Sequence, residues 1–311
     1  MIVISSINGK VGLPAAIKKL VQGGSAVDAV EIATRIVERN MADQTVGRGG
    51  LPNVLGEVRL DASIMDGRTL RAGAVGSVQG YVHVITLARH VMEETPHVFL
   101  VADGAERLAR EIGMPLDHPL TSEAKKVWQD GLRKYDPDLN VDTLPKRNDL
   151  RLVVDAMNQP MAGWKPKPHG TVNLIARDDD GNLATAVSTS GWAWSYPGRL
   201  GDSPVIGAGS YADNRWGAVA STGTGEVTLR TAAARSIILY MKMGLSLDDA
   251  QHEAMKDLKD LKDGYIEHIA IIGLNKDGHH TGYTFRPDER YAFMTDQMDH
   301  PAEIDMKKLE A

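Results

Sequence analysis

The segment Thr171-Val172-Asn173-Leu174-Ile175-Ala176-Arg177-Asp178-Asp179-Asp180-Gly181-Asn182-Leu183-Ala184-Thr185-Ala186-Val187-Ser188-Thr189 sets two apolar runs on either side of an acidic turn. Val172 to Ala176 and Leu183 to Ser188 flank Asp178-Asp179-Asp180-Gly181, a strong signal for a β-hairpin. Counted back from the turn, Thr171 begins one strand and Thr189 ends the other, so the two face each other to within about one residue. Cross-strand neighbours lie about 5 Å apart between β-carbons, which brings both hydroxyls into reach of one another.

Working outward, Ile2 to Ser5 reads as a strand, followed by a turn and a helix from about Pro14 to Gln22 that Gly23-Gly24 ends. Ser25 with Asp28 forms a capping-box-like start for a helix to about Arg39, its apolar residues at helical spacing. The glycine-rich Gly47-Arg48-Gly49-Gly50-Leu51-Pro52 leads into an alternating strand from Glu57 to Met65. Leu70 to Val75 and Val98 to Val101 read as strands around a helix from about Tyr81 to Met92, with a turn at Asp103-Gly104. Helical patterns follow from about Ala105 to Ile112 and from Ser122 to Lys134. From Asp136 to Gly170 prolines replace periodicity beyond Leu150 to Met157, and a long exposed connection is expected.

Beyond the hairpin, Gly217 to Ala220 reads as a strand running through Ser221-Thr222-Gly223-Thr224-Gly225-Glu226 into a helix to about Met243. Ser246 with Asp249 opens another helix, to about Leu258. Ile266 to Leu274 and His280 to Phe285 form a second hairpin around Asp277-Gly278. Strands and helices come in blocks, which predicts a mixed α+β architecture with much antiparallel pairing.

The chain has 311 residues, 42% hydrophobic and 24% charged, and no cysteine. That composition excludes disorder and fibres, and the missing thiols exclude a cysteine nucleophile, thiolate metal sites and disulfides. A net charge of −6 with no block of five or more like charges argues against nucleic acid as a partner. The apolar start is too short for a secretory signal, and Gly181 to Gly198 is too rich in Thr, Ser and Gly to span a membrane; a cytoplasmic location is expected.

Most motifs are eliminated by spacing. Gly223-Thr224-Gly225 lacks the third glycine of a dinucleotide fingerprint, since Thr228 stands in its place. His252-Glu253 has no second zinc-protease histidine, and Asp178 to Asp180 lacks the alternating ligands of a calcium loop. No G-x-S-x-G is present, and no metal or cofactor is expected.

What remains is a set of hydroxyls and charges around the central hairpin. The plain reading of Thr171 and Thr189 is a cross-strand pair on a polar sheet face. The sharper one starts from Lys165-Pro166-Lys167-Pro168-His169-Gly170, an irregular stretch that ends in glycine directly before Thr171. Such a Gly-Thr bond is open to attack by the threonine's own hydroxyl. Once cut, it leaves Thr171 N-terminal, with an α-amino group of pKa about 7.7 to 8.0 to act as base for that hydroxyl. Thr222-Gly223 is either a close-packing turn or a set of donors for a tetrahedral oxyanion. Arg199 and Asp202 are either a surface ion pair or a clamp for a zwitterionic amino acid, with Arg199 on the carboxylate and Asp202 on the ammonium.

Five motifs in order resemble the N-terminal-nucleophile (Ntn) asparaginase superfamily: His169-Gly170-Thr171-Val172, Ser188-Thr189-Ser190-Gly191, Gly198 to Pro204, Gly207 to Asp213, and Thr222-Gly223. Val46 to Pro52, Leu60 to Gly67 and Thr95 to Val98 make the chain most similar to glycosylasparaginases (aspartylglucosaminidases). The resemblance implies a single Ntn-hydrolase domain over 1–311, a four-layer αββα sandwich self-cleaved into an α part, 1–170, and a β part, 171–311. It also implies that these parts stay together as a dimer of heterodimers. By motif, Thr171 is nucleophile and base, Thr189 hydrogen-bonds its hydroxyl, Arg199 and Asp202 hold the substrate, and Thr222 with Gly223 forms the oxyanion hole.

The expected reaction is cleavage of the β-amide of a small asparagine-derived substrate, N4-(β-N-acetylglucosaminyl)-L-asparagine, through a β-aspartyl ester on Thr171. Two positions depart from the glycosylasparaginase pattern. Gly170 stands where that branch has Asp, and Ser5-Ser6-Ile7 stands where it has Ser/Asn-Thr-Trp. Both favour the alternative of an L-asparaginase or isoaspartyl peptidase. A non-catalytic amino-acid-binding protein on the same scaffold is the alternative from another class.

Overall fold

The computed structural model describes residues 1–158, 170–261 and 266–309. The Lys165 to His169 stretch of the sequence reading lies outside them. The chain opens with strand β1 (Ile2–Ser6), a 3-10 turn (Ile7–Gly12) and helices α1 (Leu13–Val21) and α2 (Ala26–Glu38). Next come β2 (Leu60–Asp66), β3 (Ala72–Val78), α3 (Val84–Glu94), β4 (Phe99–Val101), α4 (Ala102–Glu111), α5 (Ser122–Tyr135) and α6 (Leu150–Asn158). The second half holds β5 (Val172–Arg177), β6 (Leu183–Thr189), β7 (Ser210–Asp213), β8 (Gly217–Thr222), α7 (Gly225–Thr231), α8 (Ala233–Lys242) and α9 (Leu247–Asp260). It ends with β9 (Ala270–Asn275), β10 (His280–Thr284), β11 (Arg290–Thr295), β12 (Ala302–Asp305) and β13 (Lys307–Lys308).

The strands make two sheets, one ordered β12-β11-β1-β5-β6-β2-β3-β4 and one ordered β13-β10-β9-β8-β7. The expected hairpin is the centre of the larger sheet, with Val172 opposite Ser188 and Arg177 opposite Leu183. Its turn is closed by Asp178, which accepts the Asn182 N–H at 2.8 Å and, through its other oxygen, the Ala26 N–H at the start of α2 at 3.2 Å. Gly181 takes the left-handed conformation such a turn requires.

Both hairpin strands are buried on both faces, and period-2 alternation sorts their side chains between two cores. Val172, Leu174, Ala176, Ala184 and Ala186 join the apolar cluster of α1, α2 and α3. Ile175, Leu183 and Val187 point the other way and meet Ala218, Ala220, Ile272 and Leu274 of the smaller sheet. On the smaller sheet's far face, Val219 and Ile271 pack with Ile237, Ile238, Met255 and Leu258 of α8 and α9. The Ser25–Asp28 capping box starts α2, and Ser246 caps α9 by accepting the Asp249 N–H, as the sequence predicts.

Some expectations need correction. Asp103-Gly104 is no turn, because α4 begins at Ala102 and places Asp103 in its first turn, where a carboxylate suits the helix dipole. The helix expected from Gly225 to Met243 is broken at Ala232, whose left-handed backbone (φ 47°) closes α7 and re-aims α8. The described part of the expected exposed connection, 136–158, is less exposed than expected: Leu144, Leu150, Val153 and Met157 pack with Trp128, Leu132, Val54 and Trp194 in a separate cluster. Leu70 stands in a left-handed turn before β3 rather than in a strand. Strands β7, β11, β12 and β13 carry no sequence signal noted above. Among the described residues, no helix is long and apolar enough to cross a membrane.

Candidate functional site

Alternation also decides which polar residues share the layer between the sheets. Ile2 and Ile4 of β1, Ile175 of β5, Val187 of β6 and Met65 of β2 face inward. In phase with them are Ser6, Thr171, Asn173, Thr189 and Asp61. From the smaller sheet, Ala218 and Ala220 face inward, and Thr222 is in phase with them. A polar group is thus gathered at one end of an otherwise apolar layer.

The register supports this placement. Val172 pairs with Ser188, so Thr171 stands one step further, beside Thr189, and Thr189 pairs in turn with Asp61. Thr189 Oγ1 donates to the Gly170 carbonyl at 3.0 Å and accepts the Gly191 N–H at 3.0 Å. Ser6 Oγ accepts the Asn173 N–H at 3.0 Å, and Asn173 Nδ2 donates to Thr222 Oγ1 at 2.6 Å. Behind the sheet, Ser188 Oγ donates to the fully buried Glu38 at 2.9 Å, and burial pushes that carboxyl up.

Gly170, Thr171 and Thr222 line one cleft of about 580 Å³ together with Ser6, Ile7 and Gly191. Ile7, 39% exposed, stands on its wall at the position where the glycosylasparaginase pattern has an aromatic ring. Thr45 lies directly against Gly170, and a β-carbon at residue 170 would run into its Oγ1, Cβ and Cγ2. Asp43 holds Thr45 from below, accepting its N–H at 2.9 Å and its hydroxyl at 2.5 Å, and accepts Asn8 Nδ2 at 2.7 Å. Gly223 has φ 123°, and any side chain there would strike the His268 carbonyl, so glycine is required at the turn out of β8.

Arg199 and Asp202 do not line this cleft. Arg199 sits in an adjoining crevice with Asn53, Glu57 and Asp61, and Gly191 is common to both spaces. Its guanidinium makes a bidentate pair with Glu226 at 2.9 and 2.8 Å and stacks 5.0 Å from the Trp192 ring centroid. Asp202 is buried against the start of α7 and accepts the Thr228 hydroxyl at 2.7 Å. Burial raises its carboxyl to about 6, against the opposing pull of Thr228 and Arg199. Asp61, which accepts the Ser77 N–H at 2.7 Å, is raised by burial to about 7.

The structure therefore brings Gly170, Thr171, Thr189 and Thr222 together, with Arg199 in the adjoining crevice and Asp202 buried off the cleft lining, each engaged by a protein partner. The sequence reading did not single out Asn173, Asp61, Asp43, Thr45 or Glu226. For Asp61 a signal was present, a carboxylate inside an alternating strand at the end nearest Thr189.

The Thr171 hydroxyl on the cleft, a second hydroxyl on the carbonyl before it and the Thr222 hydroxyl on the same cleft form an arrangement that suits attack on an amide carbonyl. The family model described as Asparaginase matches residues 10–302. The chain belongs to this asparaginase family. Among its relatives is the N(4)-(beta-N-acetylglucosaminyl)-L-asparaginase of Elizabethkingia miricola, 36% identical over 288 residues, covering 88% of this chain and 75% of that protein. The Isoaspartyl peptidase/L-asparaginase of Mus musculus is 40% identical over 261 residues, 84% of this chain and 73% of that one. The N(4)-(beta-N-acetylglucosaminyl)-L-asparaginase of Rattus norvegicus is 34% identical over 267 residues, 83% of this chain and 76% of that one. The expected resemblance is thus found, and this asparaginase-family chain is similar to enzymes of both names that it suggested.

Proposed function

We propose that this chain is a self-processing amidohydrolase that cleaves the β-amide of N4-(β-N-acetylglucosaminyl)-L-asparagine through a β-aspartyl ester on Thr171. The observation that carries the reading is the Thr189 hydroxyl on the Gly170 carbonyl, with Thr171 and Thr222 on the same cleft. In processing, Thr171 Oγ attacks the Gly170 carbonyl carbon, the C–N bond breaks, and the resulting ester is hydrolysed by water. The α-amino group of Thr171 is then free. Two pieces, 1–170 and 171–311, remain packed as an αββα sandwich and assemble as a dimer of heterodimers. Three of the apolar clusters, one between the sheets and one outside each, support the four layers.

In hydrolysis the α-amino group takes the proton of Thr171 Oγ as it attacks the substrate's β-carbonyl. The Thr222 hydroxyl and the Gly223 N–H hold the oxyanion, the amine leaves with the proton, and water releases aspartate from the ester. Arg199 takes the α-carboxylate and Asp202 the α-ammonium, which requires both to leave their present partners. The cleft falls within the range of about 300–1,000 Å³ that holds sizeable ligands, so a substituent on the amide nitrogen has room.

A second reading, L-asparaginase or isoaspartyl peptidase, is favoured by Ile7 on the cleft wall and by Gly170 packed on Thr45, where an Asp side chain has no space. Kinetics of the processed protein on glycosylated asparagine, asparagine and a β-aspartyl dipeptide separate the two. No turnover of the glycosylated substrate overturns the first. A processed and active Thr171→Ala protein removes Thr171 from the mechanism, and absence of turnover on all three leaves a binding protein.

A further inference from the structure

Asn173 lies two residues along β5 from the nucleophile, on the same face, and is 1% exposed. Its Nδ2 crosses the gap between the sheets to donate to Thr222 Oγ1, and its Oδ1 is buried without a donor among the described residues. The side chain is therefore held by its donor end alone.

That polarity matters for what Thr222 can do. A threonine hydroxyl has one proton and two lone pairs. With the Asn173 N–H on one lone pair, the Thr222 proton is turned away from Asn173. Thr222 lines the cleft, so the proton is available to a group bound there. The opposite placement, with Oδ1 against Thr222, would draw the proton inward and spend it. We propose that Asn173 is a positioning residue for amide hydrolysis, whose side-chain N–H fixes the Thr222 hydroxyl as a donor to the developing oxyanion. The proposal rests on the assignment of Thr222 to the oxyanion hole.

Processing and hydrolysis then respond differently. The carbonyl attacked in processing, that of Gly170, is already held by Thr189. A change at Asn173 that only redirects Thr222 leaves processing intact.

The test measures kcat, KM and intact mass for wild type, N173D, N173A, T222V and the N173A/T222V double variant. Losing an oxyanion donor lowers kcat about 10²-fold, and T222V should show this. N173D, which presents only acceptors to Thr222, should fall as far, while N173A, which frees the hydroxyl to rotate, should fall about 10-fold. KM should stay within about 2-fold, and both variants should process like wild type. In the T222V background N173A should change kcat by less than about 2-fold, because the two act as a unit.

Equal losses from N173A in both backgrounds, a loss confined to KM, or wild-type kcat in N173A and N173D each overturn the proposal. So does slowed processing in step with slowed hydrolysis, the signature of a merely structural role. If N173D does not fold, the N173A cycle decides alone. Wild-type kcat in T222V removes the oxyanion assignment and the proposal with it, whereas a slow T222V beside fast Asn173 variants removes the proposal only.

Discussion

The Thr189 hydroxyl donates to the Gly170 carbonyl oxygen at 3.0 Å while Thr189 Oγ1 itself accepts the Gly191 N–H at 3.0 Å, so the hydroxyl proton is directed to Gly170. In the proposed processing step, a hydroxyl so fixed would polarise the bond before Thr171 and hold the negative charge developing on Gly170 O. Thr189→Val keeps the shape and removes the donor. It should slow chain cleavage about 10²- to 10³-fold, read by intact mass over time, while Thr189→Ser stays close to wild type. Cleavage of the valine variant at the wild-type rate would exclude this role.

Gly170 and Thr45 make a second test of the same step. A β-carbon at 170 runs into Thr45, and Thr45 cannot retreat freely because Asp43 binds its hydroxyl and N–H while its carbonyl accepts the Ser190 N–H at 2.8 Å. Gly170→Ala should therefore displace the scissile carbonyl and slow cleavage about 10²-fold. Thr45→Gly, which removes all three colliding atoms, should restore a large part of the rate in the Gly170→Ala background. A Gly170→Ala protein that cleaves normally on its own would show that Thr45 yields.

Much of this was legible in the sequence, and the rest was hidden for identifiable reasons. The hairpin and the two Ser–Asp helix starts follow from local chemistry, because turn residues, caps and alternation act within a few residues. The Thr171, Thr189 and Thr222 set came instead from the family resemblance, local chemistry leaving a plain cross-strand pair and a close-packing turn open. The break at Ala232 was not legible, since a non-glycine residue at positive φ leaves no mark in composition. Nor was the burial of Leu144 and Val153, whose partners Trp128 and Trp194 come from distant segments. The pairing of Arg199 with Glu226 and of Asn173 with Thr222 joins residues from different elements, so residue type alone announced neither.

Glu226 holds the Arg199 guanidinium as a substrate carboxylate would, with two parallel hydrogen bonds. If Arg199 is the carboxylate clamp, Glu226 competes with substrate, and the apparent affinity is reduced by the fraction of time the pair is closed. Glu226→Gln should lower KM about 3- to 10-fold with kcat little changed, measured on asparagine and on its glycosylated form. A raised KM would instead make Glu226 a support that Arg199 needs.

Burial raises Asp202 to about 6 and Asp61 to about 7, from an ordinary value of 3.8. If Asp202 holds the substrate ammonium it does so ionised, so its protonation below about pH 6 should steepen the fall in kcat/KM by about a further tenfold per pH unit, beyond the fall that protonation of a Thr171 α-amino base of pKa about 7.7 to 8.0 imposes. Stability runs the other way. Both groups bind protons more tightly folded than unfolded, so their contribution is full below about pH 4 and is lost as pH rises to about 7. Asp61→Asn, which has no charge to bury, should gain melting temperature relative to wild type as pH rises from 4 to 8. A constant difference across that range would show that Asp61 is ionised throughout in the folded protein.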